Sequence, residues 1–263
     1  MITHLGIVIP AHNEQDEILG CLDSVAQAGA QLPDGLAQSS TRILVVADAC
    51  TDETVSRVAD FAEQHPQVTI LETTFKNVGS ARNFAWNHFK QSAEADRDVN
   101  FDLTWIAFTD ADSRVPTHWL TTHLAMAEAG SDCLVGTVSP RPDTGSAALI
   151  AKWHSHHTLL EDHPHVFGAN LGIRGSYLNI IGGMPQLPLG EDAATVAAVL
   201  AAGGKRETHR HLPGSHLGPS GGTRGGRLQQ LYAEPSLRPE SAHSTSGRLR
   251  PSCSRQPRAN REN

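Results

Sequence analysis

The chain has 263 residues, 39% of them hydrophobic and 19% charged, with a formal net charge of −7. That length and composition fit one large domain with its own core, or one domain with an appendage. No apolar run approaches the roughly 20 residues that cross a bilayer. Cys21, Cys50, Cys133 and Cys253 are widely spaced, which excludes a secreted disulfide scaffold, and they form no C-x-x-C pair, which disfavours a cysteine zinc site.

Met1–Pro10 lacks the basic flank and cleavage site of a signal peptide and reads as a first strand, so a reduced, cytoplasmic protein without a transmembrane segment is expected. The first strand is Leu5–Pro10. Asn13 follows as an expected helix N-cap, with Glu14, Asp16 and Glu17 in the first turn. Ile18, Leu19, Leu22, Val25 and Ala26 recur at helical spacing until Pro33-Asp34-Gly35 breaks the chain. Ile43–Ala47 is a second buried strand. Thr51 is placed to cap the next helix, which presents Val55, Val58, Ala59 and Ala62 and stops at Pro66. Strands at Val68–Leu71, Leu103–Thr109 and Leu134–Val138 alternate with helices near Ser80–Lys90 and Thr117–Ala129. This rhythm predicts an α/β fold with a mostly parallel sheet flanked by helices.

The composition changes near residue 204. Residues 1–204 carry 24 acidic and 10 basic side chains, whereas 205–263 carry 4 and 11. After Lys205 there is no Ile, Val, Met, Phe or Trp, and Gly, Pro and Ser supply 21 of 59 residues. Such a segment buries too little apolar surface to offset its ordering entropy. The expected division is a folded domain over 1–204 and a disordered, basic, low-complexity tail over 205–263. A tail translated out of frame is a further reading of the same change. Its arginines are scattered and Tyr232 is its one aromatic, so no nucleic-acid partner is expected.

Three polar clusters follow strands. They are Pro10-Ala11-His12-Asn13-Glu14, Asp48-Ala49-Cys50-Thr51-Asp52 and Asp110-Ala111-Asp112. In open α/β sheets the carboxyl ends of parallel strands share one rim, where ligands bind. Two carboxylates one residue apart suit Mg or Mn, which take oxygen ligands from protein and phosphate together and neutralise a departing diphosphate. Taken alone, Asp110 and Asp112 could equally shape a turn. There is no Gly-x-Gly-x-x-Gly, Gly-Lys-Ser/Thr or Gly-x-Ser-x-Gly motif, which disfavours dinucleotide oxidoreductases, P-loop proteins and serine hydrolases.

The ordered set resembles a family 2 glycosyltransferase of the GT-A fold. The residues that carry the likeness are Ile9–Glu14, Val45–Asp52, Asn77-Val78-Gly79-Ser80-Ala81-Arg82-Asn83, Thr109–Asp112, Gly168-Ala169-Asn170 and Gly190-Glu191-Asp192. No one of these motifs is specific, but their order and spacing match the family from about residue 5 to 204. The resemblance implies metal-dependent sugar transfer from a nucleotide diphosphate-sugar, such as a UDP- or GDP-sugar, to an acceptor hydroxyl, with inversion. It places Pro10, Ala11, Glu14, Asp48, Arg82 and Asp110 at the nucleotide and Asp112 on a divalent cation, Mn or Mg. It makes Asp192 the base that takes the acceptor proton. Ala47 stands where many relatives have a first acid. The plainer readings are a surface helix cation for Arg82 and a helix-start acid for Asp192.

Five histidines, His154, His156, His157, His163 and His165, lie close together in the sequence. A helix over Lys152–Leu160 would not put the first three on one face, and no His-Glu-x-x-His motif occurs, so an acceptor-facing segment is favoured over zinc. His165 is flagged as an acceptor contact. Two rival functions are a sugar-phosphate nucleotidyltransferase, which would carry a glycine-rich basic loop after strand one, and a nucleotide-binding homologue with impaired catalysis.

Overall fold

The computed structural model describes residues 1–37, 40–95, 99–141, 146–157 and 163–216. Its strands are β1 (His4–Ala11), β2 (Thr41–Asp48), β3 (Val68–Thr73), β4 (Thr104–Phe108), β5 (Ser113–Arg114), β6 (Cys133–Pro140), β7 (Leu171–Arg174) and β8 (Arg206–His216). The helices are α1 (Ile18–Gly29), α2 (Asp34–Ala37), α3 (Thr54–Gln64), α4 (Val78–Ala95), α5 (Trp119–Glu128), α6 (Ala147–His156), α7 (Gly175–Ile180) and α8 (Glu191–Ala201). Among the described residues the eight strands form one sheet in the order β3-β2-β1-β4-β7-β6-β8-β5. Only β7 and β5 run against the rest, so the mostly parallel sheet expected from the sequence is present. No described helix is long and apolar enough to cross a membrane.

Side chains alternate across a strand, so each central strand feeds two cores. Leu5, Ile7, Ile9, Ile43, Val45, Trp105 and Ala107 pack on one face against α1, α3 and α5. Val8, Leu44, Val46, Ile106, Phe108, Leu171 and Ile173 pack on the other against α4, α7 and α8. Burial on both faces explains why these strands read as continuous apolar runs. A smaller cluster joins Trp153 of α6 to Val138, Phe167 and Ala169.

Local details differ from the expectations. Neither Asn13 nor Thr51 caps a helix. Asn13 lies in the left-handed region at φ 54°, and its side chain accepts from the Thr51 backbone N–H at 2.7 Å. The Asp52 carboxylate instead receives the Thr54 N–H at 3.0 Å, satisfying an open donor at the start of α3. Leu19 and Ala59 face solvent, because the buried stripes of α1 and α3 run through Ile18, Leu22 and Val25 and through Val58. The sheet also passes the boundary drawn at 204. Strand β8 pairs parallel to β6 and antiparallel to β5, since ladder hydrogen bonds need no apolar side chains. The rest of the expected tail, 217–263, lies outside the described residues.

Behind the sheet, four fully buried side chains, Trp105, Trp119, His123 and Asn170, link α5 to β4, β6 and a 3-10 turn at Gly168–Asn170. The Trp105 indole N–H donates to His123 Nδ1 at 3.0 Å, and that of Trp119 donates to Asn170 Oδ1 at 2.9 Å. The Asn170 amide donates in turn to the Thr137 carbonyl at 2.8 Å. Burial lowers the His123 pKa from 6.5 to about 3, against a hydrogen bond with Asn170 and with a smaller push from His209. Between pH 6.5 and 3 the unfolded chain therefore binds a proton at His123 that the folded chain refuses. Stability falls as pH drops through that window, by up to about 1.4 kcal/mol per pH unit for one such group. Urea denaturation from pH 7 to 4 should show a shallower loss for His123→Gln, which keeps a hydrogen-bonding side chain and cannot titrate, than for the parent chain.

Candidate active site

The parallel strands β1, β2 and β4 end at one rim, beside a cleft of about 760 Å³. The first two loops at this rim are joined by hydrogen bonds. His12 Nδ1–H donates to the Asp48 carbonyl at 2.6 Å, and the Gln15 N–H donates to Asp52 at 3.1 Å. Asn13, Ala49 and Lys76 are the non-glycine residues with positive φ among those described, and all three line the cleft. Each such conformation costs about 1 kcal/mol or more and persists where the surroundings impose it, which concentrates such residues at functional sites.

Asp48 is buried at the end of β2. Its carboxylate accepts the Thr73 hydroxyl at 3.1 Å and the Asn77 N–H at 2.9 Å, so it holds the loop entering α4. Asn77 caps that helix by accepting the Ser80 N–H at 2.9 Å. Gly79 has no side chain because the backbone at Pro185 and Leu187 lies against it. The same backbone leads through Gly190, left-handed at φ 77°, into α8.

At the centre, Arg82 of α4 is 2% exposed. Its guanidinium pairs with Asp110 at 2.6 Å and also with Glu191. Burial opposes the guanidinium charge, but Asp110, Glu191 and Asp192 outweigh it and raise the pKa. Burial raises the Glu191 pKa, with Arg82 pulling the other way. Arg82 is thus an internal cation, which overturns its reading as a surface one. Gly168 packs on this guanidinium, where a Cβ would overlap it. The Gly168 N–H donates to Asp192 Oδ2 at 2.8 Å, and the Ala193 N–H donates to Asp192 Oδ1 at 2.7 Å. Two backbone donors therefore fix a carboxylate that lines the cleft.

Pro10, Ala11, Asp48, Arg82, Asp110 and Asp192 all line the cleft. Glu14 and Asp112 do not belong to its wall. Both are buried beside it, and the Glu14 backbone N–H donates to the Thr54 hydroxyl at 2.8 Å. Among the described residues no three His, Cys, Asp or Glu side chains converge on a point that could hold a metal.

The sequence reading missed Glu191 as the second partner of Arg82, Lys76 as a cation of the wall, and Trp153 and Phe167 as its aromatic end. Only Glu191 had a signal, its place beside Asp192. Helix α6 ends at His156, and the rest of the expected helix, 158–160, lies outside the described residues. His157 stacks on Trp153 at 4.1 Å, and His165 lies 5.1 Å from His157 and 5.9 Å from Phe167. Burial lowers the pKa of both histidines.

The sequence profile of glycosyl transferase family 2 matches residues 6–171, more than half of the chain. The chain belongs to that family. No curated protein matches it in sequence. Solved glycosyltransferases share its GT-A fold. The Staphylococcus aureus protein TarS 1-349, solved with UDP-GlcNAc, superposes with a TM-score of 0.61 at 16% identity, over 84% of this chain and 60% of that one. The mannosyltransferase PcManGT of Pyrobaculum calidifontis, solved with GDP-Man and Mn2+, gives 0.62 at 21% identity, over 88% and 62%. GalNAc-T7, solved with UDP, GalNAc and Mn2+, gives 0.59 at 13% identity, over 84% and 45%. This chain thus spans less than two thirds of each of these proteins.

In this family 2 member Gly168 serves two contacts at once, the guanidinium beneath it and the Asp192 carboxylate. Gly168→Ala should destabilise the fold by about 1–3 kcal/mol, the usual cost of overpacking a rigid site. Urea denaturation midpoints of the variant and the parent measure this.

Proposed function

We propose that this family 2 glycosyltransferase moves a sugar from a nucleotide diphosphate-sugar to an acceptor hydroxyl, with inversion and with Asp192 as the base. The observation that carries the reading is the Asp192 carboxylate, held in the cleft by two backbone N–H groups. Pro10, Ala11 and Asp48 would border the nucleoside, and Asp110 the ribose and sugar. Glu14 would act from behind, through the turn that its backbone ties to Thr54. The nucleotide-sugars in TarS and PcManGT support the donor class.

The chemistry follows from charge. As the hydroxyl oxygen forms its bond to the anomeric carbon, Asp192 takes the hydroxyl proton. The bond to the nucleoside diphosphate breaks on the opposite face, and the anomeric configuration inverts. Orientation matters here, because a carboxylate fixed at both oxygens presents its remaining lone pairs in one direction.

The wall residues Asp48, Asp110, Glu191 and Asp192 face only Arg82 and Lys76 as cations among those described. A diphosphate would be repelled from so acidic a wall unless a cation came with it. That surplus fits Mn or Mg, which needs one or two carboxylates when phosphate oxygens complete its shell. Asp110 on the wall, with Asp112 buried behind it, would hold the ion, which would supply neutralisation of the leaving diphosphate. Lys76, exposed on the wall, would face the same phosphates.

Thermal-shift titration with UDP, GDP and their sugars tests this reading. At about 100 times its dissociation constant, a ligand adds about 2.7 kcal/mol of stability. The shift should depend on Mn2+ or Mg2+ with one of the nucleotides and vanish in Asp112→Ala. Asp192→Asn should keep nucleotide binding and lose about 10²–10⁴-fold in turnover, the usual contribution of a general base. No shift with any nucleotide would overturn the reading. Binding with no turnover in the parent chain would mark it as a nucleotide-binding homologue with impaired catalysis.

A further inference from the structure

Arg82 matches a family position near the nucleotide, yet both of its terminal nitrogens are engaged by protein carboxylates. Its Nε is sealed from solvent without a hydrogen-bond partner. The carboxylates come from different elements of the fold. Asp110 stands at the end of β4, on the donor side, and Glu191 is the first residue of α8, next to Asp192. The backbone of Gly168 lies on the guanidinium and donates to Asp192. Arg82, Gly168, Glu191 and Asp192 are therefore in continuous contact from α4 to α8.

We infer that Arg82 is a positioning residue that sets the base Asp192 relative to the donor-side Asp110, rather than a ligand of the nucleotide. This role rests on the transferase reading above. Without the guanidinium, the half-buried Asp110 and the buried Glu191 become two neighbouring acids with no shared cation, and their repulsion moves the start of α8. Asp192 is carried with it, since its neighbours Glu191 and Ala193 belong to the same helical turn. A lysine at position 82 keeps the charge but has a single ammonium in place of the planar fork that bridges two carboxylates.

The test is kinetic. Hydrolysis of the nucleotide-sugar by water needs no acceptor, and nucleotide affinity is measured separately by calorimetry. Arg82→Lys and Arg82→Ala should lower kcat by about 100-fold, the scale on which a displacement of about 1 Å acts. The dissociation constant of the nucleoside diphosphate should change less than about tenfold, because no contact to it is lost. Millimolar guanidinium ion should restore part of kcat in Arg82→Ala. Arg82→Ala/Glu191→Ala should lose no more than Arg82→Ala alone, since residues that act as one unit are not additive. This double variant also removes the surplus buried charge, so it serves where Arg82→Ala does not fold.

Additive losses, with nucleotide affinity falling in step with kcat, would make Arg82 a nucleotide contact and overturn the inference. Folded variants that turn over like the parent would overturn it too, leaving the transferase reading intact. A parent chain that neither binds nor hydrolyses any donor would reject the transferase reading itself, and this role with it.

Discussion

The Arg82 guanidinium lies inside the protein with a carboxylate on either side, Asp110 from the end of β4 and Glu191 from the start of α8. Taking such groups out of water costs several kcal/mol per ion, and their attraction repays this only where the geometry is good. A buried ion network is therefore weak evidence of stability. Its consequence here is spatial. The pairing admits one arrangement of α4, β4 and α8, and the cleft is the space these elements leave in front of it. Glycine at 168 follows from the same constraint, because any side chain there would enter the guanidinium.

A second, uncharged network supports the first from behind. Asn170 receives the Trp119 indole N–H and donates to Thr137, fixing the 3-10 turn that carries Gly168. The turn's position thus depends on buried groups whose hydrogen bonds are costly to break. On the opposite side of the cleft the backbone itself is constrained. Asn13, Ala49 and Lys76 hold left-handed conformations; hydrogen bonds between the β1 and β2 loops tie the first two, and the Asn77 N–H on the Asp48 carboxylate ties the loop that carries Lys76. Rigid networks on one side and imposed backbone conformations on the other leave a cleft shaped before any ligand arrives, which is what preorganised electrostatics requires.

The far end of the cleft has a different character. Trp153 and Phe167 form its wall, with His157 and His165 stacked beside them and burial disfavouring their protonated forms. The cleft therefore grades from an acidic end at the strand termini to an aromatic end at α6. Strand β8 shows how far composition misleads at the edge of a domain. Arg206–His216 joins the sheet beside β6 although the sequence after residue 204 lacks nearly every residue type that favours strands.

The layered fold and the rim were legible in the amino-acid sequence. Apolar runs such as Leu5–Pro10 and Ile43–Ala47 can be buried on both faces only in a covered parallel sheet, and short acidic and polar turns after such strands must gather at their carboxyl ends. The polar turns around Pro10, Asp48 and Asp110 were legible because each directly follows a strand, whereas Asp192 stood out through the family resemblance and not through its local pattern. What depended on contacts between distant segments was not legible. Asn13 and Thr51 look like caps in isolation, but the β1 and β2 loops bond to each other, and Asp52, just before the cap residue Glu53, accepts the first helical N–H. Arg82 reads as an exposed helical cation until α8 brings Glu191 against it across 109 residues. Lys76 and Trp153 reach the cleft through a strained loop and a helix whose placement no local pattern encodes. Tertiary structure alone decided which charges were buried together, because the cost of burying a charge depends on its partners in space rather than on its neighbours in the chain.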